Sequence, residues 1–117
     1  MLARIGVRHA LEGVKIAFRE EFNFRIQVAA AIATIVLGWF FEISALEWVA
    51  VIFAVGLVLS AELLNTAFEA LCDKFHADPD PHIGMIKDLA AAGVLLASTA
   101  AATVGLIIFT PHIIALL

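Results

Sequence analysis

The chain has 117 residues, enough for one domain, of which 63% are hydrophobic and only 15% charged, with a mean hydropathy of +1.04. A soluble domain is nearer half apolar and a quarter charged, so the composition excludes an ordinary soluble fold and points to an integral membrane protein with little outside the bilayer. The formal charge of −4 argues against nucleic acid as a partner, because phosphate binding needs a basic face, and the single cysteine, Cys72, excludes an internal disulfide.

Residues 1–25 carry five of the seven Lys and Arg: Arg4, Arg8, Lys15, Arg19 and Arg25. Val7, Ala10, Leu11, Val14, Ala17 and Phe18 follow helical spacing, with the first four cations on a separate face. A basic amphipathic helix of this kind suits the membrane interface, where its cations meet anionic headgroups. The plainer alternative is a helix that packs on the rest of the protein.

The segment 26–41 has 16 uncharged residues and ends in Trp39 and Phe40, which resemble an interfacial anchor. Glu42–Glu47 reads as a short turn with both glutamates solvated. Trp48–Ala61 is a second uncharged run, long enough to span only with the flanking turns included. His76–Gly84, HADPDPHIG, reads as the one clear loop, with Pro79 and Pro81 expected to exclude regular helix. Leu89–Pro111 then gives 23 residues without a charge, rich in Ala and Gly in its first half, where small side chains allow close helix contacts in lipid. These apolar runs are expected to be retained helices rather than a signal peptide.

The expected fold is therefore an all-α membrane protein, a single domain over 1–117. It has an interfacial amphipathic helix at 1–25 and membrane helices at 26–42, 45–72 and 87–111. Lys and Arg lie in the N-terminal segment and the 74–87 stretch, and none lies in the 42–47 turn or the C-terminal tail. The positive-inside rule then puts the N-terminus on the cytoplasmic side.

Ser60–Lys74, SAELLNTAFEALCDK, is the stretch that carries chemistry. As a helix it places Glu62, Asn65, Glu69 and Asp73 at i, i+3, i+7 and i+11, within roughly 80° of one another on a helical wheel. Carboxylates at or near membrane depth are costly, so a polar stripe in an apolar helix implies a use. Grouped oxygens beside a cytoplasmic surface suit Mg²⁺, which commonly shares its ligands with nucleotide phosphates. Phosphoryl transfer needs little beyond metal charge, positioning and a base, and a carboxylate among apolar groups can serve as that base. There is no GxxxxGK[ST]. Three readings follow from the residues. They are a kinase, a small proton-coupled membrane transporter using an intramembrane glutamate, and a structural subunit whose stripe binds a partner helix. Cys72, His76 and His82 fit no zinc-ligand spacing.

The pattern E-x-x-N-T-A-x-E-x-x-x-D at 62–73, followed by K-D-x-x-A-x-x-V-L at 87–95, resembles the small bacterial integral-membrane lipid kinases, the diacylglycerol kinase/undecaprenol kinase family. The similarity extends to Gly13, Lys15, Glu21, Asn23, Arg25 and Ile26, and so covers nearly the whole chain. Phe68 and Cys72 depart from it, standing where the family usually has aliphatic residues.

The resemblance implies an ATP-dependent lipid kinase of the bacterial cytoplasmic membrane, a homotrimer of three-span subunits whose sites are completed between neighbours. It implies Glu62 as the base toward the lipid hydroxyl, with Asn65 helping to arrange the site. It implies Glu21 and Glu69 as ligands of the Mg²⁺ that comes with ATP, and Lys87 and Asp88 in the nucleotide and phosphate region. Asp73 ends the motif. The segments 23–27 and 41–48 look more like the undecaprenol kinase branch than the enterobacterial diacylglycerol kinase branch, and Gln27 stands where the latter tends to have a carboxylate. Undecaprenol is therefore the expected acceptor, with diacylglycerol as the alternative.

Overall fold

The computed structural model describes residues 2–75 and 80–117, with side chains from Gly6 onward. His76, Ala77, Asp78, Pro79 and the Arg4 side chain lie outside the described residues. The chain forms four α-helices: α1 (Leu2–Glu20), α2 (Phe22–Phe40), α3 (Ala45–Lys74) and α4 (Pro81–Leu116). The last three are long and apolar enough to cross a membrane. At 1.5 Å per residue, α3 is roughly 45 Å long against a hydrocarbon core of about 30 Å, so its end projects beyond the apolar layer.

The corner between α1 and α2 is a single residue. Glu21 leaves helical geometry (φ −111°, ψ 111°), and α2 starts immediately after it. Arg25, one turn into α2, reaches back and donates from Nη1 to the carbonyls of Phe18 at 3.0 Å and Arg19 at 2.9 Å. Those are carbonyls that the end of α1 leaves without helical partners, and a cation is favoured there. The basic residue that ends the N-terminal cluster thus closes the first corner.

The α2–α3 turn closes by a Schellman arrangement. Ile43 N–H donates to Gly38 O (3.1 Å) and Glu42 N–H to Trp39 O (3.3 Å), with Glu42 in the left-handed region at φ 50°. Gly38 is needed because a Cβ there would lie 2.8 Å from the Trp48 ring. Ser44 then caps α3: its hydroxyl accepts from Glu47 N–H, and the Glu47 carboxylate accepts from Ser44 N–H. Glu47 is therefore not the free, solvated residue expected from the sequence. It is held by the cap, and its carboxylate lies 3.4 Å from His112 Nε2. Around this turn sits the main apolar cluster, Ile43, Val51, Ile108 and Phe109, flanked by Phe41, Trp48 and Val104.

The expectation for Pro81 is corrected. Pro81 does not break structure but opens α4, where Asp80 Oδ1 accepts from His82 N–H at 2.8 Å and the missing proline N–H is no loss. Gly84 accordingly lies in the helix, so the described part of the loop is shorter than 76–84. Pro111 lies within α4, which continues to Leu116. Thr99 and Thr103 bond back to the carbonyls of Leu95 and Thr99, a common way for hydroxyls to be satisfied in lipid. Large side chains such as Phe53, Leu96 and Ile107 face outward, as a membrane-facing surface requires.

Candidate active site

The polar stripe of α3 forms, and it runs from buried to exposed along the helix. Glu62 is 3% exposed and Asn65 9%, Glu69 is half-buried, and Asp73 is exposed. The gradient follows from the ends of the neighbouring helices. Gln27 of α2 and Glu21 of the α1–α2 corner lie near Glu62, and Lys87 of α4 lies beside Asp73. From the start of α3, Glu62 lies roughly 26 Å along the helix, near the far edge of an apolar layer about 30 Å thick.

Within the stripe, Asn65 Nδ2 donates to Glu69 Oε1 at 3.0 Å. That bond joins successive turns of α3 and orients both side chains. Asn65 Oδ1 is buried without a partner among the described residues. Gln27 of α2, Glu69 and Glu21 lie close to the Glu62 carboxylate. Glu21 is brought there by the α1–α2 corner, and it makes no side-chain capping bond, so its carboxylate is not consumed by the helix start. Glu20, its neighbour, points instead to Arg19 at 3.6 Å with both groups exposed.

Lys87 and Asp73 meet across the α3–α4 connection, Nζ to Oδ1 at 2.6 Å. Asp88, the next residue, is exposed on α4. The structure thus groups Glu21, Glu62, Asn65 and Glu69 around one end of the helices, with the Lys87–Asp73 pair one to two turns further out. Gln27 is the member whose contact was not anticipated. The available signal was a lone amide in an otherwise apolar run.

Chemically, this is a set of oxygen donors at the edge of an apolar layer. Among the described residues, no three His, Cys, Asp or Glu side chains converge closely enough to cage a cation by themselves. The set suits a magnesium ion, which is usually held by one or two carboxylates and completed by phosphates and water, and does not suit a dedicated structural metal.

The sequence profile of prokaryotic diacylglycerol kinase matches residues 8–109. Undecaprenol kinase of Bacillus subtilis is 35% identical over 105 residues, covering 90% of this chain and 85% of its own. Diacylglycerol kinase of Synechocystis sp. is 33% identical over 114 residues, 97% of this chain and 65% of its own. Diacylglycerol kinase of Escherichia coli K12 is 29% identical over 104 residues, 89% and 85% respectively. The matched region includes all of α2 and α3, both corners of the site and most of α4. By that match, and by its three apolar helices, the chain belongs to the prokaryotic diacylglycerol kinase family and is an integral-membrane lipid kinase.

Proposed function

We propose that the protein phosphorylates undecaprenol, with ATP as donor and Glu62 as the base. The observation that carries the mechanism is the buried Glu62 carboxylate, with Gln27, Glu69 and Glu21 close by at one end of the membrane helices. In the reaction, the lipid oxygen bonds the γ-phosphorus and the bond from that phosphorus to the β–γ bridging oxygen breaks. The hydroxyl proton passes to Glu62, and ADP leaves. Asn65 holds Glu69 in place, and Lys87 offers its ammonium to the phosphates with Asp88 beside it in sequence. Glu21 and Glu69 would hold Mg²⁺, which when bound supplies the charge that offsets the phosphates.

The acceptor is the finer part of the reading. Undecaprenol is supported by the 35% identity to the Bacillus subtilis undecaprenol kinase, set against 29% to the Escherichia coli diacylglycerol kinase, and by Gln27. We further infer one domain over 1–117 in the bacterial inner membrane, with the first 25 residues at the interface and the N-terminus cytoplasmic. The support is that Lys and Arg cluster at the helix ends that carry Glu62–Asp73. A homotrimer follows from the family resemblance.

The test is phosphorylation in mixed micelles, with undecaprenol and diacylglycerol side by side at matched concentration. Preferential labelling of undecaprenol, lost on chelation of Mg²⁺, is expected. Preference for diacylglycerol would replace the acceptor and leave the site. Labelling of neither by folded protein with Mg²⁺ and ATP would remove the mechanism.

A further inference from the structure

His112 joins three helices at the end of the molecule remote from the carboxylate group. It belongs to the last turns of α4. Its ring lies over Phe41, which caps the end of α2, with centroids 5.5 Å apart and planes tilted by 30°. Its Nε2 lies 3.4 Å from Oε2 of Glu47, in the first turn of α3.

The Glu47 carboxylate divides its oxygens between two tasks. Oε1 accepts from Ser44 N–H at 3.0 Å and completes the cap of α3, while Oε2 faces the imidazole. An ion pair between free surface side chains gains little, in part because ordering both of them costs conformational entropy. Here the cap already orders one partner, and stacking on Phe41 orders the other. Both side chains keep 30% of their surface exposed, so the pair stays open to protons from water.

Charge at this end is one-sided. The sequence has no Lys or Arg from 26 to 73 and none after 87. The acidic groups here are Glu47 on α3, the exposed Glu42 in the α2–α3 turn, and the terminal carboxylate of Leu117 about 8 Å further along α4. The end of α2 brings Trp39, Phe40 and Phe41, none of which is ionisable. His112 is then the side chain at this end that can become a cation. Its imidazolium form is favoured by the facing carboxylate, and also by the Phe41 ring, since an aromatic face attracts a cation within about 6 Å of its centroid. Both attractions act on the protonated ring and not on the neutral one.

We propose that His112, Glu47 and Phe41 form a pH-sensitive clasp, in which a proton taken up by His112 ties the end of α4 to the end of α2 and the start of α3. An imidazole titrates near pH 6.5 and a carboxylate near pH 4.3, so the two groups carry opposite charges between about pH 5 and 6.5. A proton held more tightly by the folded chain than by the unfolded one adds stability below the imidazole range, and that gain is lost as the pH rises through it. The clasp thus tightens this end of the bundle in mild acid and relaxes in mild base.

The experiment measures melting temperature in detergent micelles at about pH 5.5 and about pH 8.5. The chains compared are the unmodified protein, His112→Gln, Glu47→Gln and the double variant. Glutamine at 47 removes the charge and keeps the cap, because a capping box accepts Glu or Gln at that position. Other titrating groups, His9, His82 and Glu62 among them, are common to all four chains and cancel in the differences.

Each single variant should lose roughly 3 °C more at the lower pH than at the higher. The losses should be coupled at the lower pH and additive at the higher. Phe41→Leu removes the ring face and leaves both ionisable groups, so its loss should also be larger in acid, and it keeps the test available if a glutamine variant fails to fold. Losses that are the same at both pH values would overturn the clasp and reduce the contact to packing. Coupling of equal size at both pH values would overturn it as well, leaving a plain hydrogen bond from a neutral ring. The readout is melting, so it stands apart from the choice of acceptor and from the role of Glu62.

Discussion

Lys87 Nζ lies 2.6 Å from Asp73 Oδ1, tying the start of α4 to the end of α3 beside the carboxylate group. The pair is exposed, so its consequence is sought in activity rather than in stability. Asp73→Asn should raise KM for ATP several-fold and leave kcat within about tenfold, because Lys87 keeps its charge but loses its guide. Lys87→Met should depress kcat by roughly a thousandfold if that ammonium meets the transferring phosphate. Initial rates across ATP concentrations separate the two.

Glu62→Gln keeps the shape and removes the base. Turnover should fall by about 10²–10⁴-fold, with melting in detergent unchanged or raised. The buried position of Glu62 makes this substitution informative, since an amide there leaves no unpaired charge in the apolar layer. Normal turnover would assign the base elsewhere.

Arg25→Gln removes both bonds that close the α1–α2 corner. A loss of about 1 kcal/mol is expected from the C-terminal carbonyls of α1 left open. Activity should fall as well, because the same corner sets Glu21. A thermal shift with full activity would separate Glu21 from the site.

Gly38→Ala pushes a methyl to 2.8 Å from the Trp48 ring, and the ring belongs to the packed far end of the molecule. Overpacking of this kind costs about 1–3 kcal/mol. Trp48→Phe in the same chain should recover part of it by withdrawing the ring edge, read as melting temperature of the single and double variants.

Glu42 holds a left-handed conformation without being glycine. Glu42→Gly should stabilise by up to about 1 kcal/mol, since the strain is relieved and the turn's backbone bonds stay in place. Destabilisation would show that the Glu42 side chain makes a contribution larger than the strain.

The polar stripe was legible because helical spacing alone puts Glu62, Asn65, Glu69 and Asp73 on one face, and the family pattern falls on the same residues. Its gradient from buried to exposed was not legible, because depth depends on which neighbouring helix covers each turn. Gln27 was visible as a lone amide in an apolar run, but its meeting with Glu62 depends on the α2–α3 register, and that register is fixed by the turn at 38–44. That turn has a glutamate where the usual signal would be glycine. Pro81 misled because proline reads as a breaker unless the residue before it is seen to cap, as Asp80 does. Glu47 misled for a related reason: a carboxylate three residues after a serine can be solvent-facing or half of a capping box, and only the geometry decides.

The Schellman turn, the Ser44 cap and the Ile43–Phe109 cluster lie at one end of the helices, and the carboxylate group lies at the other, roughly 26 Å away along α3. Sites that far apart with no shared partners contribute additively. A substitution that keeps the backbone of the 38–44 turn, and with it the α2–α3 register, such as Glu42→Gly, should therefore carry its gain unchanged into any redesign of the acceptor end, and a loss of turnover there need bring no loss of fold.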